Sequence, residues 1–388
     1  MKTKNNISKS LLRHACIFIL ICLHLNCTNN ESAAQQLAPG PSAKKSIKLA
    51  LILDTSNSMD GLIDQAKSQL WIIVNELAKA ECDNAKPELY IALYEYGNDN
   101  LPMSEGFIRM VTPLTNDLDQ ISKDMFSLTT RGGQEYCGQV IKTSLTELDW
   151  SESSDDYQVI FIAGNEPFTQ GAVPFSKSCA EAKRKGVIVN TIFCGNFNEG
   201  IKTSWKSGAD LTGGKYFSID HNSKTVYIES PYDDKIVTLN QQLNETYIYY
   251  GSIGKQKMAM QNEQDLNSAK YGQSNMVNRA VSKSSHIYKN SQWDLVDASG
   301  DKNFDIQEID NKQLPPEMQE MNEQEKTIYI EKKKTEREKI KNQINDLNIQ
   351  REKYIAEQHK SSSQDNMLDE VMINSITEQA KNKNFIIK

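Results

Sequence analysis

The sequence lacks a long apolar run and an excess of basic residues. None of its apolar segments reaches the roughly 18–20 residues that a membrane-spanning helix needs, which excludes a polytopic membrane protein. Lys and Arg total 44 against 51 Asp and Glu among 388 residues, so the formal charge is −7. An acidic chain is a poor electrostatic match for a phosphate backbone. We therefore expect no nucleic-acid partner.

Catalytic and zinc-binding signatures are also missing. The sequence has five His and contains no G-x-S-x-G, HExxH, phosphate-loop or dinucleotide-binding pattern. No Cys-x-x-Cys or Cys/His spacing typical of a zinc site occurs. We predict from these absences that the protein is not an enzyme.

The first residues of the chain have the pattern of an export signal. Four basic residues precede an apolar stretch at 15–23, and a polar segment follows it, which is the order of a secretory signal. Cys27 stands near the end of the apolar stretch and resembles the lipid-attachment site of a bacterial lipoprotein. We predict a signal peptide at 1–27, a lipid anchor on Cys27 and a flexible tether at 28–45. The alternatives are ordinary cleavage beside the small residues at 32–34 and an uncleaved anchor.

This export signal predicts where the protein acts. We expect it in the bacterial cell envelope, attached to a membrane through its lipid and facing the periplasm or the cell surface. Export also changes how the cysteines beyond the signal are interpreted, because an oxidising compartment permits three pairings of four cysteines. Four buried thiols without a bridge are the alternative. The candidates for disulfides are Cys82, Cys137, Cys179 and Cys194.

Strand and helix patterns alternate regularly in the first half of the chain. The first strand pattern is a continuous apolar run, which is typical of a strand buried on both faces. Apolar residues at helical spacing follow it at 59–80. Strands that alternate with helices of this length form a largely parallel sheet covered on both faces. We predict an α/β fold with a doubly wound, mostly parallel, six-stranded Rossmann-like sheet. The predicted strands are 47–53, 89–94, 107–111 at an edge, 158–163, 187–193 and 213–219.

The loop after the first strand carries oxygen ligands. Asp54, Ser56 and Ser58 are spaced by two at the point where the buried strand ends. In such sheets the binding crevice lies beyond the carboxyl ends of the strands. A carboxylate and two hydroxyls are hard oxygen ligands of the kind that Mg²⁺ prefers. The alternative is a helix cap that holds no ion.

The region 46–222 resembles the von Willebrand factor A (VWA) family. The resemblance rests on the strand that ends in Asp54-x-Ser56-x-Ser58, on the order of the elements, and on the closing segment at 209–217. It implies a binding module rather than an enzyme. It also implies a divalent ion that is held by the first loop, a Thr of a second loop and an Asp of a third, and is completed by an acidic group of a protein partner.

The two other loops depart from the family pattern. Gln134 stands where the second-loop Thr is expected, and Gly164 stands where the third-loop Asp is expected. Losing a carboxylate weakens the field around a hard cation, so a substitute such as Glu135 or Asn165 is needed, with water. The competing interpretation is a crevice that binds its partner without metal, through the same groups as hydrogen-bond partners.

These observations lead to two sets of candidate site residues. We predict that Mg²⁺ or another divalent cation binds Asp54, Ser56, Ser58 and Glu135. We predict that the surrounding partner-binding crevice is lined by Asn57, Gln134, Asn165 and Glu166.

The C-terminal part of the sequence is polar and helical. We predict that the VWA-like domain covers 46–250, that 251–314 is helical or irregular, and that 315–388 holds a long charged helix and a tail. Within that helix, Ile340 and Ile344 lie at the spacing of a coiled-coil seam, which is too short for a confident assignment. The alternatives are packing of the helix as an arm on the preceding region or on a partner.

Two functions stay open from the sequence. In the first, a non-enzymatic envelope protein binds another protein through a VWA-type domain with a degenerate metal-ion-dependent adhesion site. In the second, the protein is a structural or assembly scaffold of the envelope, its helical C-terminal region makes the contact, and the VWA domain is a metal-free scaffold.

Overall fold

The computed structural model describes residues 45–82, 86–219, 227–361 and 368–387. The predicted signal peptide, most of the tether and the lipidation candidate Cys27 lie outside the described residues. Among the helices that are described, none is both long enough and apolar enough to cross a membrane.

Most of the described strands join in one sheet. The strands are β1 (Ser46–Asp54), β2 (Ala80–Glu81), β3 (Glu88–Tyr96), β4 (Ile108–Thr115), β5 (Tyr157–Gly164), β6 (Val187–Phe193), β7 (Tyr216–Ser218) and β8 (Ile386–Ile387). The larger sheet has six strands in the order β4-β3-β1-β5-β6-β7, and β2 pairs with β8. Its strands are parallel except β4, which runs antiparallel to β3 at one edge. The predicted mostly parallel, six-stranded sheet is confirmed.

Helices connect these strands and continue beyond them. They are α1 (Ile63–Leu77), α2 (Leu118–Ser127), α3 (Cys137–Glu147), α4 (Phe175–Arg184), α5 (Phe197–Lys202), α6 (Trp205–Asp210), α7 (Asp233–Asn244), α8 (Gly251–Lys270), α9 (Gln273–Ser284), α10 (Leu295–Ala298), α11 (Pro316–Gln319), α12 (Glu323–Ser361) and α13 (Leu368–Lys381). Short 3-10 helices lie at Asn57–Met59, Met103–Glu105, Ile306–Glu308 and Asn311–Gln313.

β1 lies in the middle of the sheet and is buried on both faces. Leu49, Leu51 and Leu53 belong to one apolar core, whereas Ala50 and Ile52 belong to the core on the other face. From Leu49 onward neither face meets water, so this part of the strand is a continuous apolar run instead of an alternating one. The run ends at Asp54, which therefore lies at the carboxyl edge of the sheet.

Different helices cover the two faces. One core contains side chains from α3, α4 and α6. The other contains side chains from α1 and α2, and it also receives Val277 of α9, Ile344 of α12 and Met372 of α13. Lys44–Lys388 accordingly form one compact unit. The boundaries at 250 and 314 stay predictions.

The long charged helix is α12, and its apolar seam faces the chain's own helices. Ile340 and Ile344 are buried, and the helix packs against α7, α9 and α10. Arg337 lies on the same seam, one turn before Ile340, and its guanidinium forms an ion pair with Asp294 at 2.6 Å. Of the alternatives that the sequence left open, packing within the chain is the one observed for these residues.

Candidate functional site

Three strands end together around Asp54. Asp54 is opposite Tyr96 in the register of β1 with β3, and β5, the other neighbour of β1, ends at Gly164. The side chain of Asp54 is fully buried. Its Oδ1 accepts a hydrogen bond of 2.8 Å from the backbone N–H of Ser56, which turns the chain away from the strand and into the short 3-10 helix.

The two serine hydroxyls of this turn meet each other. Ser56 Oγ and Ser58 Oγ are 2.8 Å apart. Ser58 Oγ also donates to Asn165 Oδ1 at 2.9 Å, while Asn165 Nδ2 donates to the backbone oxygen of Ser58 at 3.0 Å. The predicted convergence of the first loop is therefore present. Both polar atoms of the Asn165 side chain form hydrogen bonds with Ser58, so Asn165 stabilises this loop.

Glu135 enters the site from the loop before α3. Its side chain is 4% exposed, whereas that of the preceding Gln134 is exposed. A Cβ atom at Gly97 would lie 2.7 Å from Cγ of Glu135 and 2.8 Å from Oδ1 of Asp54. Both acids thus approach the same backbone position, and Gly97, with φ of +79°, leaves room for them.

Each of these two acids has an oxygen without a partner. Asp54 Oδ2 and Glu135 Oε2 are buried and accept no hydrogen bond within the described part of the chain. Burial raises the pKa of Asp54 to about 7. Burial, together with the charge of Asp54, raises the pKa of Glu135 to about 8. Buried polar atoms are normally satisfied, so two such oxygens in one place indicate a site for a proton or a cation.

A divalent cation fits this set of donors. Two carboxylate oxygens and two hydroxyls are hard ligands, and Mg²⁺ commonly binds one or two carboxylates and keeps several waters. No group of three or more His, Cys, Asp or Glu side chains suited to a metal occurs in the described residues. An ion here would be held by Asp54, Ser56, Ser58 and Glu135 together with water. The site would then supply two carboxylates, and water would complete the coordination.

The second loop offers no threonine to this cluster. Thr130 Oγ1 donates instead to the carboxylate of Asp60, and Thr129 is exposed. The second loop therefore contributes Glu135, as the sequence predicted among its possible substitutes.

The remaining crevice residues surround the cluster at the surface. Asn57 and Gln134 are exposed, and Asn165 and Glu166 are half-buried. The amide of Asn57 lies near Gly132, within 3.5 Å of a Cβ atom built there. The backbone oxygen of Glu166 accepts from the Trp205 indole at 2.8 Å. These four residues thus lie on loops at one edge of the sheet, where a partner can reach them.

Sequence reasoning missed the contribution of β3. Tyr96 is the last residue of that strand and Gly97 follows it, and both lie against the cluster. A Cβ atom at Gly164 would lie 2.3 Å from Tyr96 Oη and 3.1 Å from Cβ of Asp54. Strand position could have predicted them. A parallel strand paired with β1 also ends beside Asp54, so its last residues lie at the site.

The cysteines that could have formed disulfides are thiols in the structure. Cys137 and Cys179 belong to one core, and Cys194 belongs to the core on the opposite face of the sheet, so a Cys179–Cys194 bridge would have to cross the sheet. Cys82 Sγ donates to the backbone oxygen of Asn384 at 3.1 Å. Burial raises the pKa of Cys179 to about 12. The predicted possibility of disulfides is therefore wrong for this structure, and the alternative of buried thiols is observed.

No protein-family model matches the sequence. No curated protein matches it either. Solved structures do match in fold. They include BatB from Bacteroides thetaiotaomicron, with 15% identity over 45% of this chain and 91% of that chain and a TM-score of 0.35. They also include the SpRpn10 VWA domain, with 17% identity over 45% of this chain and 88% of that chain and a TM-score of 0.33.

A third match is an aerotolerance-related membrane protein from Bacteroides fragilis, with 15% identity over 45% of this chain and 92% of that chain and a TM-score of 0.31. At these identities the likeness concerns the fold alone. The six-stranded sheet with its flanking helices is the doubly wound arrangement that the sequence predicted, and in this it is similar to VWA domains. The resemblance to VWA domains that the sequence predicted is confirmed at that level, and the crevice described above lies at the carboxyl edge of the VWA sheet.

Proposed function

We propose that this chain is a non-enzymatic protein of the bacterial cell envelope that binds a protein partner at the carboxyl edge of its VWA sheet. In this proposal Asp54, Ser56, Ser58 and Glu135 hold a divalent cation, and Asn57, Gln134, Asn165 and Glu166 contact the partner. The observation that carries the proposal is the pair of buried, unpartnered oxygens on Asp54 and Glu135 beside two converging hydroxyls.

Electrostatics support a cation rather than a cap. A helix cap needs one carboxylate oxygen to accept backbone N–H groups, and Asp54 Oδ1 already does so with Ser56. Asp54 Oδ2 and Glu135 Oε2 have no such role and no partner within the described residues. A bound divalent cation would supply positive charge and open coordination positions to an oxygen of the partner.

The rim of the site supports recognition of a macromolecule. Arg131 and Asp99 form an exposed ion pair of 3.0 Å beside the second loop. Met103, on the loop that joins β3 to β4, is 75% exposed. Polar groups with an exposed apolar side chain are common at transient protein interfaces.

The amino-terminal pattern supports the location. A basic start, an apolar stretch and Cys27 agree with export and lipid attachment. Metabolic labelling with an alkyne fatty acid tests this: we expect label on the native protein and none on Cys27→Ser. Label on both proteins would contradict attachment at Cys27.

Cross-linking in cells, with Asp54→Ala as the variant, tests the proposed binding function. Partners that dock at the carboxyl edge should be lost from Asp54→Ala and after treatment with EDTA, while folding stays unchanged. The proposal is wrong if every cross-linked protein is retained under both conditions.

Two exposed side chains favour the second candidate function, a scaffold that acts through the C-terminal helices. Ile328 and Ile349 on α12 are 65% and 64% exposed. A double variant, Ile328→Ser with Ile349→Ser, distinguishes the two functions in the same cross-linking experiment. Loss of partners from this variant but not from Asp54→Ala would favour the scaffold.

A further inference from the structure

We infer that residues 381–388 lie on the surface of an anionic bilayer and that the crevice faces away from that bilayer; this inference rests on the proposed envelope location. The segment contacts the lipid through Ile386 and its lysine side chains. It lies at the amino edge of the sheet, which is the edge where the parallel strands β1, β3 and β5 begin.

The first argument is the place where the chain enters the sheet. Lys45 precedes β1, and the nine residues of β1 end at Asp54 in the crevice. At about 3.3 Å per residue, the two ends of this strand lie about 26 Å apart. The predicted lipid-attachment site, Cys27, precedes Lys45 by about 18 residues and can lie at most about 60 Å from it. A lipid on Cys27 therefore keeps the amino edge near a bilayer, and the crevice is at the opposite edge.

The second argument is that residues 381–388 are fixed beside this entry point. Lys383 Nζ donates to the backbone oxygen of Ser154 at 3.0 Å. The ring of Phe385 packs on that of Tyr157, the first residue of β5, with ring centroids 6.5 Å apart. The short strand β8 also pairs with β2. These contacts place the segment at the edge of the sheet where β1 begins.

The third argument is the chemistry of the segment. Residues 381–388 contain three Lys and no Asp or Glu, in a chain whose formal charge is −7. Side chains of an extended segment alternate in direction: Phe385 is buried and Ile387 packs against the core, whereas Ile386 between them is 61% exposed. An exposed aliphatic side chain among lysines matches an anionic bilayer, because burial of apolar area and attraction to the headgroups both favour that contact.

Acidic side chains limit this contact surface. Three exposed acids lie at the same edge of the sheet, on the loop before β5, and an anionic surface repels them. They are Asp149, Glu152 and Asp155. The contact with lipid is therefore confined to residues 381–388 and does not extend over the whole edge.

Fluorescence of a labelled chain on vesicles tests this orientation. Residues 28–388 contain the whole compact unit, and an amino-terminal His tag attaches them to a nickel-chelating lipid in place of a lipid on Cys27. A nitrobenzoxadiazole label is placed at Ile386→Cys. The matched controls are Met103→Cys at the carboxyl edge and Leu266→Cys on α8, at positions that are 75% and 68% exposed. The native thiols of the described residues are buried, so the label reacts at the introduced cysteine.

The label at position 386 should enter the bilayer surface. On vesicles of phosphatidylethanolamine and phosphatidylglycerol, we expect its emission to rise by at least about twofold and to be quenched by doxyl-labelled lipid. The labels at positions 103 and 266 should show neither change. High salt, or vesicles of phosphatidylcholine alone, should reduce the response at position 386, because the lysines then lose their attraction to the headgroups.

Two results overturn the inference: no response at position 386, or a response at position 103 that equals or exceeds it. An equal response on phosphatidylcholine overturns the role of the lysines. Since the His tag replaces the lipid, these results are independent of the labelling test on Cys27 and of the cross-linking test on Asp54→Ala.

A second label position keeps the test in place if Ile386→Cys lowers the thermal unfolding temperature. Asn382 is exposed on the same segment, so a label at Asn382→Cys should also respond to the anionic vesicles. Adding Ile386→Ser to this labelled chain should reduce the response by at least about half, because the apolar contact is removed. An unchanged response would contradict the role of Ile386.

Discussion

Asp54 and Glu135 are carboxylates that the fold buries without giving every oxygen a partner. Such an arrangement disfavours the charged form, which is why burial raises the pKa of Asp54 to about 7. Stability is therefore lower than it would be with neutral side chains at these positions. Functional sites commonly carry destabilising arrangements of this kind.

Replacing Asp54 by Asn should stabilise the metal-free protein at alkaline pH. The folded pKa of Asp54, about 7, is above the ordinary value of 3.8, so the folded state binds more protons between these values. The resulting stability is complete below pH 4 and is lost as the pH rises through 7. At about 1.4 kcal/mol per pKa unit, we expect Asp54→Asn to be more stable than the native chain at pH 9 in EDTA by an amount on the order of 2–4 kcal/mol.

Thermal unfolding in EDTA at pH 5 and pH 9 provides the measurement. The difference between Asp54→Asn and the native chain should grow from the lower to the higher pH. Ser58→Ala is the control, because it changes the same loop without removing a charge and should show no such growth. A variant that is less stable than the native chain at pH 9 would contradict the pKa assigned to Asp54.

A double-mutant cycle tests the close approach of Gly164 and Tyr96. Gly164→Ala places a methyl group where Tyr96 Oη stands 2.3 Å away, and overpacking of a filled core commonly costs about 1–3 kcal/mol. Tyr96→Phe removes the hydroxyl, so the double variant should recover part of that loss. Chemical denaturation of the four proteins gives the coupling energy. Purely additive losses would mean that Tyr96 does not limit position 164.

The sequence predicted only those residues of the candidate site that lie together in one short segment. Asp54, Ser56 and Ser58 form a short pattern at the end of an apolar run, and that pattern placed them correctly. Tyr96 and Gly97 were missed because their role depends on the pairing of β3 with β1, which a linear pattern does not give. Sequence spacing placed Gln134 at the ligand position of the second loop, but Gln134 is exposed and Glu135 is buried, because which of the two side chains turns inward depends on how that loop folds.

On the helices beyond the sheet, a charged residue at a buried position makes an interface difficult to predict from apolar spacing. In α12 the seam residue Arg337 interrupts the apolar spacing, which makes the seam look short. In the structure Arg337 is buried, its guanidinium is 2.6 Å from Asp294 and 2.8 Å from Asp297, and it lies 4.0 Å above the ring of Tyr247. The interruption is therefore a contact between α12 and the segment around α10.

Removing Arg337 should strongly destabilise the protein. Arg337→Ala would leave Asp294 buried without its cation, and breaking a buried pair from one side typically costs about 3–5 kcal/mol. The matched control is Lys334→Ala on the same helix, whose pair with Glu331 at 3.6 Å is partly exposed and should contribute less than about 1 kcal/mol. Urea denaturation measures both. Equal effects of the two variants would argue against the buried position of Arg337.

On the scale of the whole molecule, the C-terminal helices complete a core that the VWA domain alone leaves open. Arg279 of α9 pairs with Asp119 of α2 at 2.7 Å, with both side chains buried. Gln379 of α13 accepts from Tyr157 at 2.8 Å, and β8 pairs with β2. These contacts join residues far apart in sequence, and several use Gln, Asn, Arg or Lys. Apolar periodicity predicted the sheet but could not predict this packing, because the buried positions of these helices are often polar.

The full chain should consequently unfold as one cooperative unit, and the VWA segment should not keep the stability of the whole. The side chains of Val277, Ile344 and Met372 are buried against the same core as β1, so a chain that ends at residue 250 exposes that core to water. We expect residues 28–388 to give a single transition that coincides by fluorescence and by circular dichroism. We expect residues 28–250 to unfold at a clearly lower temperature or to aggregate, and co-expression with residues 251–388 to restore solubility. An equal unfolding temperature for the two chains would show that the C-terminal helices are an independent arm, and the boundary predicted at 250 would then be a boundary of folding as well as of composition.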